Sequence, residues 1–507
     1  MKASARAATL VALTAVAVPS PGQDLAQMLD FLNRINKPIE LTPEQVEEGR
    51  QRFCHPPEQL GSEWLTREPV PEEQRAAPLL DKMAAYEWLG QLPDQERWWD
   101  FDPQDTEWSE IQPWLDANAA YFQLLDEATA RPHLGAPVEL HPDFQDLCPD
   151  SPPLFAWSLQ YLSQIKTAAR AQRLRALRDI EDGSLDAALK DIERLEHLSD
   201  LASDQQPTFL VQMLAWAIDG YVYDVIQYAL RTKPAELTEP LLARTAKIVA
   251  RTGARDRYNI TMNRLITEDV INRVFDEDQA SIGATWFLMS NTAPNHVGNR
   301  EAPSVPRSLW ITMTTGSAKR AHDLNGWVWD LAQEEIDRAP WLREEPSATD
   351  QIETRLKARY DFFAPGAGDA LLVSFFAAPP ELDRLLPYQA ARDARHRSLL
   401  LALTLHRHHL RHGAWPPTLA DLDPDLLPAD ITDAHTGEPL HYKLTDAGPV
   451  VYSAGPDRDD DDARPLLDDE GEPDTTPPFL TIDEWQRRLA DDPASIDGDW
   501  VLYPPQE

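Results

Sequence analysis

From Pro153 to about Gly253, apolar residues recur at intervals of three and four, the repeat that lines one face of an α-helix, in long stretches rich in good helix formers. Within them, RALRDIEDGSLDAALKDIERLEHL predicts two helices joined at Asp182-Gly183, with Ala187 and Ala188 small enough for close approach. No second copy follows at a fixed period, so the unit is an isolated helical hairpin. The most apolar segment, PTFLVQMLAWAIDGYVYDVIQYAL, contains Gln212, Asp219 and Asp224, which predicts a buried core helix instead of a membrane span.

Upstream, DLAQMLDFLNRIN has helical periodicity. TPEQVEEGRQRF carries a helix start signal, with Thr42 as N-cap, Pro43 at the first helical position and Gln45 three residues after the cap. Residues 56–153 are broken by prolines and dense in tryptophan (Trp64, Trp88, Trp98, Trp99, Trp108, Trp114), which predicts short helices and loops wrapped on a larger body, the indoles serving packing. Helical patterning continues over 255–345, interrupted by the Pro/Asn-rich NTAPNHVGNREAPSVPRS.

The character changes near Pro387. PYQAARDARHRSLLLALTLHRHHLRHG reads as a long helix with Gly413 at C′, followed by the proline-restrained WPPTLADLDPDLLP. PLHYKL and GPVVYSAG then alternate like strands about Thr445-Asp446-Ala447, a hairpin. The tail from Phe479 predicts an amphipathic docking helix anchored by Phe479, Leu480, Trp485 and Leu489. The expected fold is mainly α: a multi-helix body with a small C-terminal α+β module, a long helix plus a short antiparallel sheet. The expected units are 1–22, a signal peptide or N-terminal anchor; 23–152, a Pro/Trp-rich helical wrap; 153–386, an α-helical body; 387–470, the α+β module; and 471–507, an acidic linker with the docking helix.

Charge narrows the partners. Lys and Arg total 47 against 85 Asp and Glu, a formal charge of -38, which repels nucleic-acid phosphates and anionic lipid. Nucleic acid is excluded as a partner, and a protein partner is expected. Lys2 and Arg6 precede an apolar run from Ala7 to Val18 and a small-residue Ala15-Val16-Ala17, the layout of a secretory leader, and the run is shorter than the roughly 20 residues a membrane span needs. An exported protein, periplasmic or associated with the cell envelope, is the expectation. Cys54 and Cys148 are the chain's two cysteines; they form one disulfide or remain buried thiols.

The stretch VVYSAGPDRDDDDARP runs from a strand straight into aspartates. Asp457, Asp459 and Asp461 recur at every second position, the spacing at which a curling loop turns alternate carboxylates toward one centre, and calcium takes six to eight oxygens. Asp468 falls at the twelfth position of that count, but Asp462 occupies the sixth, where an EF-hand has glycine, and no helix leads in. The four adjacent carboxylates require either a cation or solvation.

The series of a helix ending in His-Gly, then WPPTLADL, GEPLHYKL and VVYSAGPDRDDDD resembles the C-terminal part of the major pseudopilins of bacterial type II secretion. It is also similar to a module that follows a helical body in large bacterial envelope proteins. The resemblance covers roughly residues 390–465. It implies calcium binding by Asp457, Asp459, Asp460 and Asp461. Asp462-Ala463-Arg464 stands where the family closes this loop with a glycine pair, and the prepilin cleavage motif is missing, so filament assembly is not implied.

HRHHLRH sets His408 and His412 at i, i+4 and His409 and His412 at i, i+3, spacings that chelate a transition metal, but HExxH is not present and the expected role is a polar helix surface beside Leu399, Leu400, Leu403 and Leu410. The chain carries no GxSxG elbow, phosphate-binding glycine loop, GxGxxG or paired CxxC. The functional expectation is an exported, non-enzymatic interaction or scaffold protein with a calcium-stabilised C-terminal loop. The alternative is a hydrolase with its site in a groove of the helical body, under the 291–308 loop.

Overall fold

The computed structural model describes residues 42–56, 70–89, 108–135, 161–203, 209–253, 260–276, 279–280, 318–339, 382–455, 458–465 and 499–504, with a few single positions between them. It is mainly helical, with a small three-stranded antiparallel sheet near the C-terminus.

Helix α1 (Pro43–Cys54) starts as its sequence signals. Thr42 Oγ1 accepts from the Gln45 N–H at 3.2 Å and Gln45 Oε1 accepts from the Thr42 N–H at 3.0 Å, a reciprocal cap. Then come α2 (Ala77–Ala84), α3 (Trp108–Ala117) and α4 (Ala119–Thr129). Trp108 and Trp114 are buried, and Trp88 stacks on Trp114 at 5.0 Å and tilts over Tyr121 at 4.1 Å, so these indoles pack. Trp64, Trp98 and Trp99 lie outside the described residues.

Helices α5 (Leu162–Glu181), α6 (Leu185–Ser203) and α7 (Phe209–Thr232) pack side by side. Gly183 turns the predicted hairpin at φ 72°, with Ser184 N–H donating to the Asp179 carbonyl at 2.7 Å and Gly183 N–H to that of Ile180 at 3.0 Å, a closure that needs a left-handed residue. Arg175 of α5 joins three helices: Nε and Nη2 fork onto Asp191 of α6 at 2.9 and 3.0 Å, and Nη2 reaches Asp126 of α4 at 2.6 Å. The aspartates of α7 that break its apolar run are also paired, Asp219 with Arg392 at 3.2 Å and Asp224 with Arg395 at 3.1 Å.

Both arginines belong to α11 (Leu382–His412), which follows α8 (Glu239–Gly253), α9 (Thr261–Val274), a two-residue hairpin β1–β2 (Phe275–Asp276 and Gln279–Ala280) and α10 (Ala318–Asp337). From Ser398 to His406, α11 is buried on nearly every side. A helix enclosed in this way lies inside a core instead of covering one. Leu399, Leu401, Leu403 and Leu405 share one apolar cluster with α5, α6, α7 and the C-terminal sheet, so the module and the helical body meet in a common core. Leu410, expected in the apolar stripe, is 45 % exposed. Gly413 ends α11 at φ 71°, as its C′ position requires.

The hairpin β3 (His441–Thr445) and β4 (Gly448–Ser453) forms as expected. The sheet is completed by β5 (Trp500–Tyr503), which pairs antiparallel with β4 and introduces an irregularity between Val451 and Tyr452. Residues 500–503 fall in the stretch read from the sequence as the acidic linker and docking helix; here they are a strand of the same sheet. The helix anchors Phe479, Leu480, Trp485 and Leu489 lie outside the described residues.

A second apolar cluster brings together α1, α9 and α10. Cys54 and Cys148 form a disulfide within it, resolving the two readings of these cysteines. Beside the bridge, Arg273 and Asp269 of α9 are fully buried and paired at 2.9 Å. Arg273 Nη1 donates to the carbonyls of Phe53 and Ser151, each at 2.9 Å, and Asp269 Oδ2 accepts from the Leu154 N–H at 3.0 Å. One ion pair thus holds backbone on both sides of the disulfide. Among the described residues no helix is long and apolar enough to cross a membrane.

Candidate cation site in the C-terminal loop

β4 delivers the chain into the aspartate-rich turn. Its end is fixed by the buried Asp433, whose Oδ1 accepts from the Ser453 hydroxyl at 2.8 Å and the His435 N–H at 2.9 Å, and whose Oδ2 accepts from the Ala454 N–H at 3.0 Å. The turn is tight. Arg458, Asp462 and Ala463 all adopt left-handed backbone, with φ of 66°, 61° and 64°, a region that side chains with a Cβ enter at a cost. Asp462 and Ala463 belong to the Asp462-Ala463-Arg464 stretch that stands where the pseudopilin resemblance leads one to expect a glycine pair.

Asp460 Oδ1 accepts from the Tyr452 hydroxyl at 3.1 Å and the Asp462 N–H at 3.0 Å, and its Oδ2 lies 3.2 Å from His441 Nδ1. Partial burial alone would raise the Asp460 pKa, but these donors and the Lys443 charge outweigh it and hold the carboxyl below its ordinary range. Asp461 Oδ1 pairs with Arg464 at 2.7 Å, whereas its Oδ2 is buried with no hydrogen-bond partner. Asp462 pairs with Lys443 at 2.7 Å, and Asp459 is exposed. Asp457 lies outside the described residues.

Asp499, just before β5, completes the loop. It is fully buried; its Oδ2 accepts from the Ala463 N–H at 2.6 Å, while its Oδ1 has no partner. Burial raises its pKa, the charges of Asp460 and Asp461 add to the rise, and the Asp461 and Ala463 N–H groups oppose it. A loop with two buried oxygens lacking donors and one carboxyl pushed toward protonation is the electrostatic situation a cation relieves. Among the described residues no three carboxylates of this loop bring oxygens within 4.8 Å of one another, so a calcium shell here draws on backbone carbonyls, water or Asp457 as well.

Asp499 was not legible as a site residue, because it lies far along the chain from the aspartate run and reaches it through β5. The only local signal is an acid directly before a short run of apolar and aromatic residues, Trp500–Tyr503. Within HRHHLRH, His412 is half exposed as expected, but other histidines depart from the surface reading. His408 is 7 % exposed instead of solvated, and His406 is buried. His409 stacks on Trp415 at 4.2 Å.

Elsewhere, a cleft of about 350 Å³ lies among α3, α4 and α5, lined in part by Asp116, Asp126, Arg175 and Arg178. Its guanidinium groups are committed: Arg178 to Asp116 at 3.0 Å and Arg175 to Asp126 and Asp191. The 291–308 loop lies outside the described residues. Comparison with known protein families, curated proteins and solved structures finds no match to this chain.

Proposed function

We propose that the chain is an exported, non-enzymatic interaction protein of a bacterial cell envelope, a helical scaffold whose pseudopilin-like C-terminal part is stabilised by calcium at the aspartate-rich turn that follows β4. The observation that carries the calcium reading is the pair of buried oxygens without donors, Asp461 Oδ2 in the acidic turn and Asp499 Oδ1, whose carboxylate is bonded to that turn at Ala463. The pseudopilin-like reading draws support from a long helix against a three-stranded antiparallel sheet and from the glycine-like backbone at 462–463. Export draws support from the Cys54–Cys148 bridge, since disulfides persist in oxidising compartments. The scaffold reading accords with arginines in the α3–α5 cleft that are neutralised in pairs and not left facing a substrate space.

Calorimetric titration of calcium into the chelator-treated chain tests the ion. Saturable binding that disappears in an Asp459→Asn, Asp461→Asn, Asp499→Asn variant is the expected result; no binding to the parent chain sinks it. Export is tested by cell fractionation with thiol alkylation. Recovery in the cytosol with both cysteines reactive would overturn that part.

A further inference from the structure

The last two turns of α11 and the segment after it bring together a different set of donors. His408 is buried, His412 lies one turn further on and is half exposed, and their rings are 4.4 Å apart, tilted by 37°. Asp423, beyond the end of the helix, faces His412 Nε2 with both oxygens, at 3.0 and 3.2 Å. One ligand atom from each of the three lies within 4.8 Å of the other two, and this is the single such group among the described residues. Tetrahedral ligands at about 2.1 Å from zinc stand roughly 3.4 Å apart, so small side-chain rotations close the group on an ion. His408 Nδ1 is buried and has no hydrogen-bond partner, an imidazole nitrogen left unused by the protein.

The surrounding charge fits a dication. Glu239 of α8 receives Arg407 in a fork at 3.0 and 2.7 Å and Arg411 at 3.0 Å, and Arg411 also reaches Asp423 at 3.2 Å and Asp425 at 3.1 Å. Asp421 also acts on His408. Glu239, Asp421, Asp423 and Asp425 therefore outnumber Arg407 and Arg411 by two. Two imidazole nitrogens and one carboxylate oxygen form a zinc-type donor set, unlike the all-oxygen shell of calcium.

We propose that His408, His412 and Asp423 bind a divalent transition-metal ion of the zinc class, which staples the C-terminal end of α11 to the segment that follows it. Three protein ligands leave a fourth position for water or for a group from a partner.

The test is calorimetric titration of Zn²⁺ into the full chain, free of any polyhistidine tag and stripped with chelator, alongside Co²⁺ titration followed by visible absorption. The expected result is one stoichiometric site with the intense visible bands of four-coordinate Co²⁺. His412→Ala and Asp423→Asn, both at the surface end of the site, are expected to weaken Zn²⁺ binding at least about tenfold. The Asp459→Asn, Asp461→Asn, Asp499→Asn variant should bind Zn²⁺ as the parent does. Absence of stoichiometric binding overturns the proposal, as does affinity that survives both substitutions.

Discussion

His406 Nε2 lies 2.5 Å from the hydroxyl oxygen of Tyr503, joining the buried middle of α11 to the last strand of the sheet. The two rings meet edge to face, and Trp415 contacts the imidazole edge-on at 5.1 Å. Burial, with a smaller effect from His409, pushes the His406 pKa down to about 4, so a neutral ring shares this hydrogen bond with the Tyr503 hydroxyl. Tyr503→Phe removes the hydroxyl and leaves a buried imidazole nitrogen without its partner. The expected loss is about 1–3 kcal/mol in denaturant unfolding, and a change within error would show that the bond contributes nothing.

The same histidine sets an acid limit. Its folded pKa of about 4 lies below the ordinary value of 6.5, as does that of His396, also about 4 through burial, where the ring bonds the Val249 carbonyl beside Arg392 and Arg397. The unfolded chain therefore binds more protons between these values, and stability falls as pH drops from about 6.5 to 4. His406 contributes on the order of 3 kcal/mol across that window. Unfolding free energies measured at intervals should slope accordingly, and the slope should be shallower in His406→Asn.

Asp499 works in the opposite sense. Its raised pKa means that the ionised folded form is disfavoured above the unfolded value, a penalty present at neutral pH and relieved as pH falls. Without calcium, Asp499→Asn should raise the melting temperature at pH 7, because an amide oxygen can still accept from Ala463 while the buried charge is gone. A lower melting temperature would mean that the carboxylate is already stabilised by the protein alone.

Ala463 holds φ at 64°, where its Cβ is strained. Ala463→Gly should stabilise the chain by about 1 kcal/mol, the left-handed penalty of roughly 1–2 kcal/mol less part of the added glycine entropy. Chemical denaturation of the two proteins decides it.

Around the disulfide, Asp269→Ala strands the buried Arg273 charge and should cost about 3–5 kcal/mol. Removing the bridge that spans 94 residues, by Cys54→Ser with Cys148→Ser, should cost about 2–5 kcal/mol. Because Arg273 grips the backbone at Phe53 and Ser151, the two losses should be non-additive in a combined variant; simple additivity would mean that pair and bridge act independently.

Local rules written into short stretches were legible. Thr42, Pro43 and Gln45 start α1, Gly183 and Gly413 sit where left-handed turns are needed, and the β3–β4 alternation forms a hairpin. Each depends on residues a few positions apart. The candidate ion loop was half legible: Asp459, Asp460 and Asp461 announce themselves as a run, while Asp499 does not.

What the sequence alone determined is therefore the helical class, the caps and turns, and the acidic loop, since backbone geometry and side-chain period act over a few residues. Tertiary structure decided the rest. It made α11 a central helix and gave the sheet its third strand, and it put Asp499 against the loop and Asp423 against His412. It also buried His406 and His408. A helix surrounded on all sides shows no polar face, and a carboxylate brought in by a distant strand leaves no spacing to read, because both follow from long-range packing that no local pattern encodes.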